Sequence, residues 1–182
     1  MTSLVRRRLL GAAALLPIIP AYGQGRAQNC GVATAAQTEG PFFKPGTPER
    51  SSFIESGSGA QRLVISGQVF SARDCRPLGG ALLDFWHSDE RGEYDNSGYR
   101  YRGHQRTDAD GRYRLETIVP ALYPGRTRHV HVKVQGSRGR VLTTQLYFPN
   151  EPTNRRDGGY QRDLEMKIVN AGVGTFDFVV DA

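Results

Sequence analysis

Short apolar runs, separated by clusters of turn-forming residues, dominate the chain from about residue 62 onward. The runs are rich in valine, isoleucine, tyrosine and phenylalanine, which favour strands, and glycine, proline, aspartate and asparagine lie between them. The candidate strands cover residues 62–70, 80–88, 111–119, 128–136, 140–148, 164–169 and 174–180. No segment beyond the N-terminal region keeps a helical period over several turns. The pattern therefore predicts an all-β fold, a single β-sandwich domain of about seven or more strands spanning residues 61–182.

Two segments lack this pattern. Residues 28–60 are rich in glycine, proline, serine and threonine without a sustained period, and we expect an irregular N-terminal arm there. Residues 150–163 form a polar insertion between two candidate strands. Its run of Arg155, Arg156 and Asp157 is expected to be a solvated loop and not a binding patch.

The first residues are typical of an export signal. Arg6, Arg7 and Arg8 precede the apolar run Leu9 to Ile19, and small residues follow. This run is too short for a bilayer-spanning helix, so we expect no stable membrane anchor. Residues 1–27 are predicted to be a signal peptide, with arginines that also favour the twin-arginine route. The expected location of the mature protein is exported, periplasmic or secreted.

The charge of the chain changes when this leader is removed. The formal net charge is +6 at pH 7, but the arginines at 6, 7, 8 and 26 belong to the leader, and their loss leaves +2. A nucleic-acid-binding domain usually carries a strongly basic face. We therefore expect no nucleic acid among the partners.

Two cysteines lie in the part of the chain that is predicted to be exported. An oxidising compartment favours pairing of Cys30 with Cys75 in a disulfide that pins the N-terminal arm. Two separately buried thiols are the alternative.

The strongest signal for chemistry is a pair of histidines in one candidate strand. His129 and His131 are two residues apart and share a face, while Val130, Val132 and Val134 form an apolar row on the other face. Paired imidazoles suit a metal, although two histidines on a polar sheet face are as common. Imidazole alone leaves zinc, copper, nickel and iron open.

Two tyrosines extend this donor set. Tyr94 lies in a glycine-flanked loop, and Tyr123 lies just ahead of the histidine strand. Taken alone, each tyrosine is interpreted as a ring that covers a sheet edge with its hydroxyl in water. A phenolate, however, is a hard anionic oxygen donor that a trivalent cation can deprotonate at neutral pH. Two tyrosines together with two histidines would favour iron(III).

Four segments occur together in a specific order: TEGPFF, then PLGGALLDFWHSDERGEYDNSG, then RTDADGRYRLETIVPALYPGRTRHVHVKV, and lastly LTTQLYFP. In these segments, between about Thr38 and Phe148, the chain resembles the intradiol ring-cleavage dioxygenases, the catechol and protocatechuate dioxygenase-like family, in its small secreted branch. The resemblance implies a mononuclear non-haem Fe(III) site. The ligands that it implies are Tyr94, Tyr123, His129 and His131.

The resemblance also implies roles for neighbouring residues. Arg126 and Gln145 would line the pocket and stabilise charge that develops on the substrate. Tyr123 would leave the metal when the substrate binds and act as a base. Arg128 is a rival for the arginine role, and Arg126 is preferred. His87 and His104, the latter read as part of a polar loop, match no ligand position, and Trp86 is expected in the core.

The function implied is cleavage of a catechol-type vicinal diol with O2 to a muconate-type dicarboxylic acid, so the expected partners are an aromatic diol and O2. Two alternatives stay open. One is an exported, non-catalytic β-sandwich module that binds aromatic or carbohydrate ligands. The other is a zinc or copper enzyme that uses the histidines without the tyrosines. The sequence favours no one diol and no one oligomeric state.

Overall fold

The computed structural model describes residues 32–182, which fold into a two-layer β-sandwich. The described strands are β1 (Arg62–Ser71), β2 (Leu82–Trp86), β3 (Arg102–Arg106), β4 (Arg112–Ile118), β5 (His129–Gln135), β6 (Leu142–Tyr147), β7 (Lys167–Asn170), β8 (Val173–Thr175) and β9 (Phe178–Val180). Two short 3₁₀ helices, Asn154–Arg156 and Arg162–Leu164, lie between β6 and β7. The predicted all-β sandwich is confirmed. Within the described residues, no helix is long and apolar enough to span a membrane.

One sheet has the order β4-β1-β8-β7, with β9 pairing in parallel with the far end of β1. The other sheet has the order β3-β2-β5-β6 and is antiparallel throughout. The second sheet carries the histidine strand β5 between β2 and β6, and we call it the site sheet.

The core between the sheets fixes the orientation of β5. Val130, Val132 and Val134 are fully buried in the hydrophobic cluster that both sheets share. Because side chains alternate along a strand, this places His129 and His131 together on the outer face of the site sheet. A slip of one residue would bring both imidazoles into the apolar core, so the valine row holds the register.

Three elements differ from the predicted strands. Strand β3 was missed, because its buried residues include Arg102 and Gln105, and buried polar side chains hide the alternation. The candidate at 174–180 is split into β8 and β9, and the one at 164–169 begins only at Lys167. The split is accommodated by Gly67 of β1, where an added Cβ would lie 1.8 Å from the Phe176 carbonyl oxygen.

Residues 32–61 form no strand of their own and lie along both sheets. Main-chain hydrogen bonds fasten this arm, from the Gln37 amide to the Thr143 carbonyl at 2.8 Å and from the Phe53 amide to the Glu116 carbonyl at 2.8 Å. The arm covers the outer face of the site sheet, so that both histidines are buried and do not face solvent.

Two predictions concern residues outside the described part of the chain. The signal peptide at 1–27 lies there, and so does Cys30 of the predicted disulfide. Cys75 is not a free cysteine, and its pairing with Cys30 stays a prediction.

Candidate functional site

The structure brings together the four side chains that the sequence singled out as metal ligands. Their ring centroids lie 5.8 Å apart for Tyr94 and Tyr123, 5.6 Å for Tyr123 and His129, and 4.7 Å for His129 and His131. Tyr94 closes the group, with its centroid 6.2 Å from that of His131. The residues come from the loop after β2, the segment before β5, and β5 itself. Two phenol rings and two imidazoles therefore cluster at the outer face of the site sheet.

The two histidines face each other through their Nε2 atoms, which lie 3.1 Å apart. His129 Nδ1 lies 2.6 Å from the Thr127 carbonyl oxygen, which can only accept, so Nδ1 carries the proton and Nε2 presents its lone pair. Only 3% of His129 and 1% of His131 are exposed. Burial lowers the pKa of His129 to about 4 and that of His131 well below its usual range. Both imidazoles are therefore neutral at pH 7, the form that binds a metal.

The Tyr94 hydroxyl is buried and has no hydrogen-bond partner among residues 32–182. Burial, followed by the proximity of Tyr123, raises the pKa of Tyr94. A buried hydroxyl without a partner costs about 1–3 kcal/mol. A bound cation would remove this cost and reverse the effect of burial, because it stabilises the phenolate. The four side chains are thus of the types that could hold a hard cation.

A row of buried residues crosses the whole site sheet through His131. The strand register pairs Arg102 with Trp86, Trp86 with His131, and His131 with Gln145. Directly paired residues share a face of the sheet. Trp86 was expected in the core, but its ring lies on the outer face, parallel to His131 at 4.8 Å. It therefore supports one wall of the site.

The arm covers this row from outside. Phe42 stacks on Tyr94 at 4.3 Å and meets the edge of Tyr123 at 6.1 Å. Arg102, which is 1% exposed, donates to the Phe42 carbonyl at 2.6 Å and to the Asp95 carbonyl at 3.0 Å. One buried guanidinium thus joins the arm to the loop that carries Tyr94. Sequence reasoning did not assign these roles to Phe42 and Arg102.

The two predicted pocket residues, Arg126 and Gln145, also come together. Arg126 Nη2 donates to Gln145 Oε1 at 2.5 Å, and Arg126 Nη1 lies 3.4 Å from the Tyr123 hydroxyl. Burial opposes the charge on Arg126, but its hydrogen bonds to Asp157, together with its charge interactions with Tyr123, Asp157 and Tyr147, outweigh burial and raise the pKa of Arg126. The guanidinium is therefore a fixed positive charge beside Tyr123.

Asp157 corrects the sequence interpretation of residues 155–157. It was expected in a solvated loop, yet it is 8% exposed and accepts from Arg126 Nε at 3.0 Å and from the Thr127 amide at 2.7 Å. Burial opposes its charge, but these bonds and one from the Gly159 amide lower the pKa of Asp157. No local pattern distinguishes this aspartate from a surface one. The rival arginine, Arg128, pairs with Glu151 at 2.8 Å instead.

The remaining histidines lie outside the donor group. His87 is buried, with Nε2 2.6 Å from the Thr117 hydroxyl and Nδ1 2.7 Å from the Ser88 carbonyl. His104 Nδ1 lies 2.8 Å from the Thr47 carbonyl, in strand β3 and not in a loop. Both rings have protein partners, as expected for structural histidines.

Known proteins resemble this chain over the residues that form the site. The chain matches the sequence model of the family described as Dioxygenase over residues 38–162, which includes every residue of the site described above. The catechol 1,2-dioxygenase of Acinetobacter baylyi is 29% identical over 157 residues, which cover 70% of this chain and 50% of that enzyme. The chlorocatechol 1,2-dioxygenase of a Pseudomonas species is 31% identical over 173 residues, covering 79% of this chain and 68% of that enzyme.

A solved structure extends this likeness. The dioxygenase domain of a dioxygenase carbohydrate-binding protein fusion from the cellulolytic bacterium Streptomyces sp. SirexAA-E is 52% identical, with a TM-score of 0.79. The match covers 83% of this chain and 99% of that domain. The chain spans about half the length of the Acinetobacter enzyme. On its sequence, its β-sandwich and its site, the chain belongs to the intradiol dioxygenase family.

Proposed function

We propose that this protein is a non-haem Fe(III) dioxygenase that cleaves a catechol-type diol between its hydroxyl-bearing carbons, with O2, to a muconate-type dicarboxylic acid. The observation that carries the proposal is the convergence of Tyr94, Tyr123, His129 and His131 beside the fixed charge of Arg126. The relatives named above act on catechol or chlorocatechol according to their names. A catechol ring is therefore the first substrate to test.

The donor set fits Fe(III). Phenolate oxygen is a hard ligand that suits a trivalent ion, and neutral imidazole suits iron as well. His129 already presents an unprotonated Nε2, and the buried Tyr94 hydroxyl has no partner among residues 32–182. Bound Fe(III) would supply Lewis acidity that favours the deprotonated diol and activates its ring toward O2. Tyr94, Tyr123, His129 and His131 would hold it.

The surroundings of the two tyrosines suggest different roles. Tyr94 is clamped between the stacked ring of Phe42 and the guanidinium of Arg102, whose Cζ lies 5.8 Å from the ring centre. The Tyr123 hydroxyl lies 3.4 Å from Arg126 Nη1, at the end of a guanidinium that Asp157 holds in place. We propose that Tyr94 stays in place while Tyr123 gives way to the diol and accepts a hydroxyl proton from it.

Arg126 and Gln145 would stabilise the substrate as its ring gains negative charge. The side-chain oxygen of Gln145, Oε1, already accepts a hydrogen bond from Arg126, and the Tyr147 hydroxyl lies 3.1 Å from the same oxygen. This network fixes the guanidinium before the substrate arrives. A preorganised charge needs no reorganisation during the reaction, which makes it effective in a buried site.

We also propose that the protein is exported, on the basis of the leader-like sequence at residues 1–27 alone. Cell fractionation with the full chain and with a version in which Arg6, Arg7 and Arg8 are lysines tests this directly. Equal amounts of both proteins in the cytoplasm, and none outside it, would contradict export.

The enzymatic proposal is tested by measuring O2 consumption by the iron-loaded protein with catechol and by analysing the product by mass spectrometry in ¹⁸O2. We expect equimolar consumption of O2 and diol, and a dicarboxylic acid that carries both labelled atoms. The His129→Ala variant should lose this activity, whereas the surface variant Arg155→Gln should retain it. A quinone product, or an aldehyde acid from cleavage outside the diol, would overturn the proposal.

A further inference from the structure

Arg102 is a buried arginine whose charge has no paired carboxylate. It is the first residue of β3, is 1% exposed, and forms no ion pair within residues 32–182. Nε and Nη1 donate to the carbonyls of Asp95 and Phe42, but Nη2 is buried and has no hydrogen-bond partner in the same part of the chain. The Asp95 carboxylate accepts instead from the amides of Gly98 and Arg100, at 2.7 and 2.8 Å. Burial of an unpaired charge costs free energy, so stability alone does not account for this arginine.

The backbone around Arg102 is strained and closely packed. Tyr101 has a φ of 54°, in the left-handed region that a residue with a bulky side chain rarely adopts. At Gly103 an added Cβ would lie 2.7 Å from Phe53 Cε1, so the arm lies directly against the strand. Arg50 of the arm also donates from Nε to the Arg102 carbonyl at 2.9 Å. The position of the guanidinium is therefore set by packing on both sides of the residue.

This guanidinium determines the surroundings of Tyr94. Its Cζ lies 5.8 Å from the centre of the Tyr94 ring, within the range of a cation–π contact. One of its two carbonyl acceptors belongs to Asp95, the residue after Tyr94. The other belongs to Phe42, whose ring stacks on Tyr94 at 4.3 Å. The loop and the arm that enclose Tyr94 are thus joined by one charged group.

Tyr123 has a different electrostatic environment. Arg126 Nη1 lies 3.4 Å from the Tyr123 hydroxyl, but the Asp157 carboxylate lies 3.0 Å from Arg126 Nε and offsets its charge. A paired cation attracts a further anion less than an unpaired cation does, because the carboxylate opposes the attraction. Arg102 is unpaired within residues 32–182, so the excess positive charge lies on the Tyr94 side of the site.

We propose that Arg102 is a positioning residue that acts through Tyr94. It fixes the loop and the arm around the ring, and its charge stabilises the negative charge of an iron-bound Tyr94. The inference rests on the proposed Fe(III) dioxygenase, and it gives a physical reason why Tyr94 and not Tyr123 stays in place when the diol binds.

Three variants separate the charge of Arg102 from its structural contacts. Arg102→Gln keeps an N–H donor and removes the charge, whereas Arg102→Lys keeps both a donor and the charge. The control is Arg106→Gln, which removes an exposed charge from the same strand, where Arg106 Nη1 donates to the Gly80 carbonyl at 2.9 Å. The measured quantity is the wavelength of the tyrosinate-to-iron charge-transfer band of the iron-loaded protein without substrate, together with its iron content.

A positive charge beside a phenolate lowers the energy of the phenolate electrons, so more energy is needed to transfer one of them to iron. We therefore expect the band of Arg102→Gln to lie about 10–20 nm to longer wavelength than that of the wild type, the order of magnitude for losing one charge at this distance. Arg102→Lys should restore the band toward the wild-type position, and Arg106→Gln should not move it. A purely structural role would weaken the band in both Arg102 variants through loss of iron, without a shift that depends on charge.

The possible failures are distinguishable. If the wild type shows the band and Arg102→Gln leaves its position unchanged, or if Arg102→Gln and Arg102→Lys shift it equally, the role of Arg102 is wrong while the iron site stands. Absence of the band in the iron-loaded wild type would overturn both proposals.

A second comparison keeps Arg102 in place, in case Arg102→Gln does not fold. In Tyr123→Phe the remaining tyrosine is Tyr94, and in Tyr94→Phe it is Tyr123. We expect the band of iron-loaded Tyr123→Phe at the shorter wavelength of the two, because Tyr94 is beside the unpaired charge. The reverse order would overturn the proposal.

Discussion

Asp157 holds Arg126 through the guanidinium Nε, which lies 3.0 Å from one carboxylate oxygen and 3.2 Å from the other. The same carboxylate accepts the amides of Thr127 and Gly159 at 2.7 and 2.8 Å. Asp157 thereby joins the segment after β6 to the start of the histidine strand. Arg126 is aimed by a residue that does not itself reach the site.

We therefore expect Asp157→Asn to lower kcat for catechol by about tenfold to a hundredfold, the usual effect of losing a group that orients a site residue. Iron content should stay near that of the wild type, because the four donors are not changed. Steady-state kinetics and elemental analysis of the purified variant check this. Asp163→Asn, which alters an exposed carboxylate in the same segment, is the control. A wild-type kcat in Asp157→Asn would contradict the proposed positioning role.

Tyr94→Phe should have opposite effects on stability and on metal binding. Without metal, the substitution removes a buried hydroxyl that has no partner among residues 32–182, so the apo protein should gain about 1 kcal/mol of unfolding free energy. With iron, the variant should bind more weakly, because one anionic donor is lost. Denaturant unfolding of apo proteins and iron titration measure the two effects.

The control for this prediction is Tyr99→Phe, which removes a surface hydroxyl that donates to the Pro45 carbonyl at 3.1 Å. It should leave iron binding at the wild-type level. Destabilisation of apo Tyr94→Phe by more than the control, with iron affinity unchanged, would show that the Tyr94 hydroxyl is structural and not a ligand.

His87 should make the fold sensitive to acid. Burial lowers the pKa of His87 to about 4, while the unfolded value is about 6.5. Between these values the unfolded chain binds more protons than the folded chain, so stability is complete above about pH 6.5 and is lost as pH falls toward 4. The wild-type unfolding free energy should drop by about 2 kcal/mol more than that of His87→Gln between pH 7 and pH 5.

Denaturant unfolding of the two apo proteins at several pH values measures this difference. Both proteins contain His129 and His131, so their difference isolates His87. Parallel pH profiles would show that His87 can be charged at no cost in the folded protein, in conflict with its complete burial.

The fold and the donor group could be predicted because their signals are local. Val130, Val132 and Val134 alternate with polar residues along the histidine strand. This alternation alone determines which face of the sheet each side chain occupies. The four motif segments then placed the tyrosines beside the histidines by resemblance. The structure brings all four rings within contact of their neighbours.

The residues that orient the donors could not be predicted in the same way. Asp157 is charged and lies in a polar run, and only its distant partner Arg126 makes it a buried residue. Arg102 hid strand β3 because a buried arginine reads as a surface residue. Trp86 was assigned to the core because a large apolar ring is expected to be buried. It is buried, but on the outer face of the site sheet, and the sequence does not indicate which face a buried ring occupies. These roles depend on contacts between residues that are far apart in the sequence, and no local sequence pattern indicates such contacts.

The most direct test of the central claim is the visible spectrum of the purified, iron-loaded protein, recorded before and after anaerobic addition of catechol. Coordination of Fe(III) by tyrosinate gives a charge-transfer band, so we expect a coloured protein whose band shifts when catechol binds, and a weaker band in Tyr94→Phe. A protein that stays colourless after iron loading, or whose band is unchanged by catechol, would contradict the proposed iron site and its mode of substrate binding.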